Sequence, residues 1–339
     1  MFGFQRTVAA ALVGTCLMIA GVSGLSAQSV TCYNCPPEWA DFKTQLRVIK
    51  EETGISIPGD NKNSGQTLAQ LIAEKASPVA DIAHFGVGFA IQAIDAGVLE
   101  PYKPAKYWES IPADLKDARG YWHTIYYGTL GFFVNVDALG GKPIPQSWED
   151  LTKPTYRGMV GYLDPSSSFV GVAAGVAVNR ALGGSLDDFT PGIKWFKAMA
   201  GNDAIVPKQT SYARVVSGEI PILIDYDFNA YRAQYTDKAN TRFIIPKEGT
   251  LIVPYVIGLV KGGPQQADAK KVLDFLLTDK GQAVFANAYV RPVRAEAASA
   301  EARAKFLPDA DYQRASGIDF RKVAQAQDAF IKRYLAEGR

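Results

Sequence analysis

Apolar and polar positions along the chain fall into short runs that alternate in kind. Residues 30–33 read as a short strand, and residues 39–52 as an amphipathic helix closed by Thr53-Gly54. Residues 55–57 suit a second strand. The polar, turn-like stretch Asn61-Lys62-Asn63-Ser64-Gly65-Gln66 then precedes a helix over 67–75. Residues 80–85 predict a third strand, and Gly86-Val87-Gly88 opens a helix over 89–96 that Gly97 stops. Such βαβα alternation argues for an α/β protein with a mostly parallel sheet covered by helices. Ligands in such sheets sit beyond the carboxyl ends of the strands, where Tyr33, Ser64 and His84 fall.

The pattern then changes. Residues 120–135 are rich in aromatic and β-forming residues and predict strands that run toward a second lobe. A short helix starts at 147–151, and 154–158 is a turn. Residues 159–163 form a short apolar strand, and residues 172–182, small and apolar without proline, predict a buried helix. Beyond it come helices over 190–200 and 211–217, a strand at 204–206, and a strand over 220–226 that ends in acidic and aromatic residues. Residues 241–245 and 251–260 are strand-like. Residues 267–278 and 281–288 are helical, 291–294 is an extended exit, and the chain from 295 onward reads as surface helices.

Between the 159–163 strand and the 172–182 helix lies Asp164-Pro165-Ser166-Ser167-Ser168-Phe169-Val170-Gly171. The first N–H groups of a helix lack intrahelical acceptors and carry the positive end of its dipole. Ser166, Ser167 and Ser168 can therefore join those amides around an oxygen-rich anion. One serine suffices to cap a helix, so three in a row point to more than a cap. Ser64 stands at an equivalent place before the 67–75 helix.

Composition narrows the classes. The 339 residues suffice for two lobes, and 47% hydrophobic with 21% charged residues is ordinary for a soluble globular chain. A net charge of +2 with no basic block gives no footing for nucleic acid or an anionic membrane surface. Arg6, the apolar run 8–20 and Leu25-Ser26-Ala27 make residues 1–27 a signal peptide cleaved near Ala27, which implies an exported, periplasmic protein of a Gram-negative cell, not embedded in the membrane. Cys32 and Cys35 remain after cleavage. In an oxidising compartment a local disulfide is the first reading and a redox-active Cys-x-x-Cys pair the sharper one.

Several passages in order carry a family resemblance: Ser64-Gly65-Gln66-Thr67-Leu68 with Ala73-Glu74-Lys75, Ala80-Asp81-Ile82, Gly131-Phe132-Phe133-Val134-Asn135, Ser147-Trp148-Glu149-Asp150-Leu151, the serine loop, Gly218-Glu219, Pro246-Lys247-Glu248-Gly249-Thr250, the 269–281 helix and Arg291-Pro292-Val293-Arg294. In this order they resemble the periplasmic solute-binding proteins of ABC importers, in the branch that includes ferric-iron, phosphonate, sugar-phosphate, thiamine and polyamine binders. The resemblance implies a two-lobed type II periplasmic binding protein fold. Each lobe would be a mixed, mostly parallel sheet flanked by helices, with lobe 1 formed by 28–134 and 247–339 and lobe 2 by 135–246. Two hinge crossovers, near 133–136 and 245–252, would join them. The implied partners are a small-molecule ligand and the permease subunits of an importer; the protein would act as a monomer without a cofactor.

Three ligand chemistries stay open. A phosphate, phosphonate or carboxylate would use Ser64, Ser166, Ser167 and Ser168 with Arg214. An amine or polyamine would use Asp225 and Asp227 within walls of Tyr33, Trp39, Tyr126, Tyr226 and Tyr255. Ferric iron would fall to Tyr226 and Asp227, although the iron-binding members use adjacent tyrosines and Phe228 offers no oxygen. The anion reading is preferred. An enzyme is disfavoured: the chain has two histidines, His84 and His123, and no nucleophile elbow, Walker A loop or His-Glu-x-x-His.

Overall fold

The computed structural model describes residues 1–3, 29–208 and 211–339. The expected signal peptide lies almost wholly outside the described residues. Ten strands are assigned: β1 (Cys32–Tyr33), β2 (Ile82–Gly86), β3 (Leu99–Glu100), β4 (His123–Asn135), β5 (Val160–Tyr162), β6 (Ile222–Tyr226), β7 (Thr241–Ile244), β8 (Thr250–Val260), β9 (Arg291–Pro292) and β10 (Ala315–Ser316). They run in the order β1-β2-β8-β4-β6-β5, with β3 and β10 on β8 and β7 and β9 on β4.

The long strand β4 organises both halves of this sheet. Residues from His123 to Thr129 pair with β8, and residues from Leu130 to Asn135 pair with β6 and β7. β4 thus changes its pairing partner within a single strand, from β8 to β6, at Thr129-Leu130. Parallel pairing, as the βαβα alternation predicts, occurs at β1–β2, β5–β6 and β10–β8. The remaining pairings are antiparallel, because β4 and β8 run against the strands of the βα units on either side of them. The sheet is mixed, and the expected parallel majority holds only at its outer strands.

Among the described residues twelve α-helices surround the sheet: α1 (Phe42–Thr53), α2 (Ser64–Ala73), α3 (Val87–Asp95), α4 (Phe169–Ala181), α5 (Thr190–Gly201), α6 (Tyr212–Val216), α7 (Asp227–Tyr231), α8 (Gln266–Leu276), α9 (Asp279–Asn287), α10 (Ala300–Arg303), α11 (Asp309–Tyr312) and α12 (Phe320–Glu337). Local chemistry sets the ends that matter for the cleft. The Asp41 carboxylate accepts from the Thr44 N–H to start α1, and Gly54, at φ 74°, closes it. Asn63 and Gln66 form a capping box that starts α2.

The predicted buried helix is α4, whose residues from Phe169 to Asn179 are all buried. It needs Gly171, because a Cβ there would lie 2.3 Å from the Leu163 carbonyl of the serine loop. The C-terminal α12 departs from the expectation of a surface helix. Its Phe330 and Tyr334 are fully buried, with Phe330 stacked on Phe189 and Tyr334 packed edge-on against Phe196. α12 also packs against α3 of the first lobe and so touches both lobes. Two further segments escape the sequence pattern: α7 follows β6 directly, and a π-helical turn continues it over Arg232–Thr236.

Candidate functional site

A cavity of about 320 Å³ opens between the lobes. Lobe 1 supplies Asn34, Trp39, Lys62 and the start of α2 with Asn63 and Ser64; lobe 2 supplies Leu163, Lys208 and the start of α4 with Ser168, Phe169 and Val170. Tyr255 of β8 completes the wall. Glu38 stands at the cleft with its carboxylate bound to Arg232 of the second lobe at 3.2 Å.

The two helix starts differ in what they leave open. In α2 the Asn63 side chain accepts from the Gln66 N–H at 2.9 Å, and the Gln66 side chain accepts from the Asn63 N–H at 3.0 Å. The Ser64 hydroxyl oxygen accepts from the Gly86 N–H at 3.0 Å and from the Asn34 side-chain amide at 3.3 Å. In α4 the N-cap residue is Ser168, and its side chain makes no capping hydrogen bond. The first amides of α4 therefore keep their donor capacity, and a buried hydroxyl lies beside them. Lys62 and Lys208 add positive charge to this end of the cleft; Lys62 is held by Asp60 at 2.5 Å and sits 4.2 Å over the Tyr33 ring.

The structure divides the serine cluster. The Ser166 hydroxyl and N–H both donate to the Asp164 carboxylate, at 2.7 and 2.9 Å, closing a turn. The Ser167 hydroxyl donates to the carbonyls of Asp164 and Lys208 at 3.4 and 3.3 Å. Only Ser168 lines the cavity. Asp164 is itself buried and paired with Arg339.

Of the other expected residues, Trp39, Ser64 and Tyr255 reach the cleft. Tyr33 turns away, donating its hydroxyl to Glu74 at 2.9 Å; burial and that carboxylate push the phenol up to about 12. Arg214 pairs with Glu219 at 2.7 Å and does not line the cavity. His84 and Tyr126 lie fully buried beneath the cleft. Asp225, Tyr226 and Asp227 are buried behind Trp39, whose ring stands 6.0 Å from Tyr226. The Asp225 carboxylate accepts from the Tyr226 N–H and the Asn229 side chain, both at 2.8 Å. Asp227 accepts from the N–H groups of Thr129 and Phe228, both at 3.0 Å, and from the Tyr312 hydroxyl at 3.2 Å. Asp227 thereby ties α7 to Thr129 of β4, the buried Tyr226 hydroxyl has no hydrogen-bond partner among the described residues, and none of the three lines the cavity.

Cys32 and Cys35 are joined in a disulfide. Asn34 lies inside this small loop, in a left-handed conformation at φ 61°. Glu38 and Lys208 are lining residues that the sequence pattern does not single out, while Asn34 falls at a strand end. Asn61-Lys62-Asn63 reads as a plain polar turn, and its place beside Ser64 was the available signal.

Burial gives the buried aspartates and histidines opposite pH dependences. Asp225 is pushed up to about 7 and Asp227 to about 6, chiefly by burial, while burial lowers His84 to about 4 and His123 to about 3. A carboxyl with a raised folded pKa contributes stability that is full below its unfolded value near 4 and is lost as pH rises through the folded one. A histidine with a lowered folded pKa does the reverse, contributing above about 6.5 and losing that contribution as pH falls. Asp225→Asn removes one of the two acid-favouring groups and leaves both histidines. Its melting temperature is expected to fall more steeply than that of the wild type between pH 7 and pH 4.5. Parallel curves for the two proteins would contradict the raised carboxyl.

Residues 77–317 match the profile of the bacterial extracellular solute-binding protein family. A Salmonella typhi periplasmic protein, provisionally named for 2-aminoethylphosphonate binding, is 25% identical over 299 residues, covering 81% of this chain and 86% of its own. Among solved structures, the Actinobacillus pleuropneumoniae periplasmic binding protein AfuA with fructose 6-phosphate superposes with a TM-score of 0.77 at 22% identity, covering 92% of this chain and 99% of its own. Iron-bound HitA from Pseudomonas aeruginosa gives 0.72 at 19%, covering 90% and 98%. The two-lobed α/β architecture, the interlobe cavity and the match over most of the chain agree: this chain belongs to the bacterial extracellular solute-binding protein family and has the type II periplasmic binding protein fold of ABC importers.

Proposed function

We propose that the chain is the periplasmic solute-binding component of an ABC importer and captures a small solute bearing a phosphate, phosphonate or carboxylate group. The observation that carries this reading is the uncapped start of α4, where Ser168 and free helix amides face a cleft that also holds Lys62 and Lys208. The proposed lobes are residues 28–134 with 247–339 and residues 135–246, hinged at the strand crossovers. Closure would then seal the anion against α4 and present the loaded form to permease subunits. The names of the Salmonella relative and of the AfuA complex, a phosphonate and a sugar phosphate, support the same chemistry.

The anion reading is preferred over the amine and ferric ones because Asp225, Tyr226 and Asp227 do not line the cavity, although Trp39 and Tyr255 of the amine reading do. Native mass spectrometry of protein purified from periplasm, followed by calorimetry with 2-aminoethylphosphonate, fructose 6-phosphate, inorganic phosphate, spermidine and ferric citrate, tests the proposal. Tight binding of one of the phosphorus-containing anions is expected. Spermidine or iron bound tightly, with those anions silent, would overturn it.

A further inference from the structure

The cleft residue Trp39 is held from below by a chain of hydrogen bonds that the anion site does not use. Its indole N–H donates to the Tyr126 hydroxyl at 3.0 Å. The Tyr126 hydroxyl lies 2.9 Å from His84 Nε2, and His84 Nδ1 lies 2.7 Å from the Asn34 carbonyl. The two outer directions are fixed, because an indole N–H can only donate and a carbonyl can only accept. His84 Nδ1–H therefore donates to Asn34. Burial keeps the imidazole neutral, so its bare Nε2 accepts a hydrogen bond from the Tyr126 hydroxyl.

Both ends of the chain are anchored at the cleft. Asn34 sits between the disulfide cysteines, and its side chain donates to the His84 carbonyl at 2.8 Å and to the Ser64 hydroxyl at 3.3 Å. Trp39 is followed by Ala40 and Asp41, both left-handed at φ 50° and 51°. Consecutive non-glycine residues in that region persist only where the surroundings over-determine them, and they concentrate at functional sites. The result is an indole projected across the cleft floor, edge-on to Phe228 of lobe 2 at 5.2 Å and tilted against Tyr255 at 5.8 Å.

We infer that Tyr126 and His84 are positioning residues for ligand binding, which hold the Trp39 indole as the fixed floor on which the second lobe closes. The inference rests on the cleft being the ligand site. Neither residue lines the cavity; Tyr126 acts through Trp39, and His84 acts through Tyr126 while also holding Asn34.

A double-mutant cycle tests this, with whichever of 2-aminoethylphosphonate, fructose 6-phosphate and inorganic phosphate binds the wild type most tightly. Tyr126→Phe deletes one hydroxyl and is expected to weaken binding about tenfold in the native background. In a Trp39→Phe background, which has a ring but no N–H to orient, it should change affinity by less than about twofold. Equal losses in both backgrounds, or no loss in the native one, would overturn the inference. A second readout needs neither ligand nor variant folding. The Trp39 indole N–H, labelled with ¹⁵N in the wild type, should exchange with solvent slowly although its ring lines an open cleft. Exchange as fast as that of a free indole would sink the relay. If no probe binds at all, the anion reading fails, and the exchange rate still decides the relay.

Discussion

Gly86→Ala is expected to wedge the lobes apart and weaken binding by roughly five- to 150-fold while the protein still folds. Gly86 ends β2 in lobe 1 with ordinary extended angles, φ −64° and ψ 135°, which alanine adopts without strain. The obstacle is steric: an added Cβ would lie 2.1 Å from Phe169 Cδ1, and the Phe169 ring belongs to the second lobe. Phe169 is also hemmed in by Phe89 and Phe320, at 6.0 and 6.2 Å between ring centres, so it has little room to yield. Overpacking of this kind costs about 1–3 kcal/mol. Charged to the closed form alone, that weakens binding by roughly five- to 150-fold. The radius of gyration in solution scattering should then stay at its ligand-free value when ligand is added, and the ligand-free melting temperature should barely change. If instead melting drops and affinity holds, Phe169 and Gly86 stay packed throughout the cycle and do not form a closing surface.

Ser168→Ala is expected to weaken binding of a phosphate- or phosphonate-bearing solute by about 1.5–3 kcal/mol, or roughly ten- to 150-fold. Ser166→Ala and Ser167→Ala should change affinity by less than about threefold. The contrast follows from where the three hydroxyls go. Ser166 and Ser167 donate within the loop, to the Asp164 carboxylate and to backbone carbonyls, whereas Ser168 faces the cavity and caps nothing. For the same reason Ser168→Ala should leave the ligand-free melting temperature unchanged, while Ser166→Ala should lower it slightly by loosening the turn. Calorimetry and thermal unfolding on the three single variants check both halves. A silent Ser168→Ala would move the anion away from α4.

Much of the architecture is legible in the chain because it rests on local chemistry. The Asn63 to Gln66 capping box, Gly54 after α1 and the small apolar run of α4 each fix an element by interactions within a few residues. The strand-to-helix junction at 164–171 was readable as a helix start with spare hydroxyls for the same reason. The direction of pairing was less so. β4 and β8 look like other apolar strands, and only their length, 13 and 11 residues, hints at their central place in the sheet. Whether they run with or against the βα units is set by the path between lobes.

By itself the sequence determined the helix starts, the alternation that makes an α/β protein, the proximity of Cys32 and Cys35, and the serine cluster as a candidate anion site. Each depends on neighbours within one turn or one strand. Tertiary structure alone decided which of three adjacent serines lines the cavity, that Asp225, Tyr226 and Asp227 are buried outside its lining, and that Lys62 and Lys208 both border it. It also buried His84 under Trp39 and set α12 against both lobes. The physical reason is the same in each case. A polar side chain takes whichever partner the fold brings within about 3 Å, and for these residues the partners come from segments up to 98 positions away.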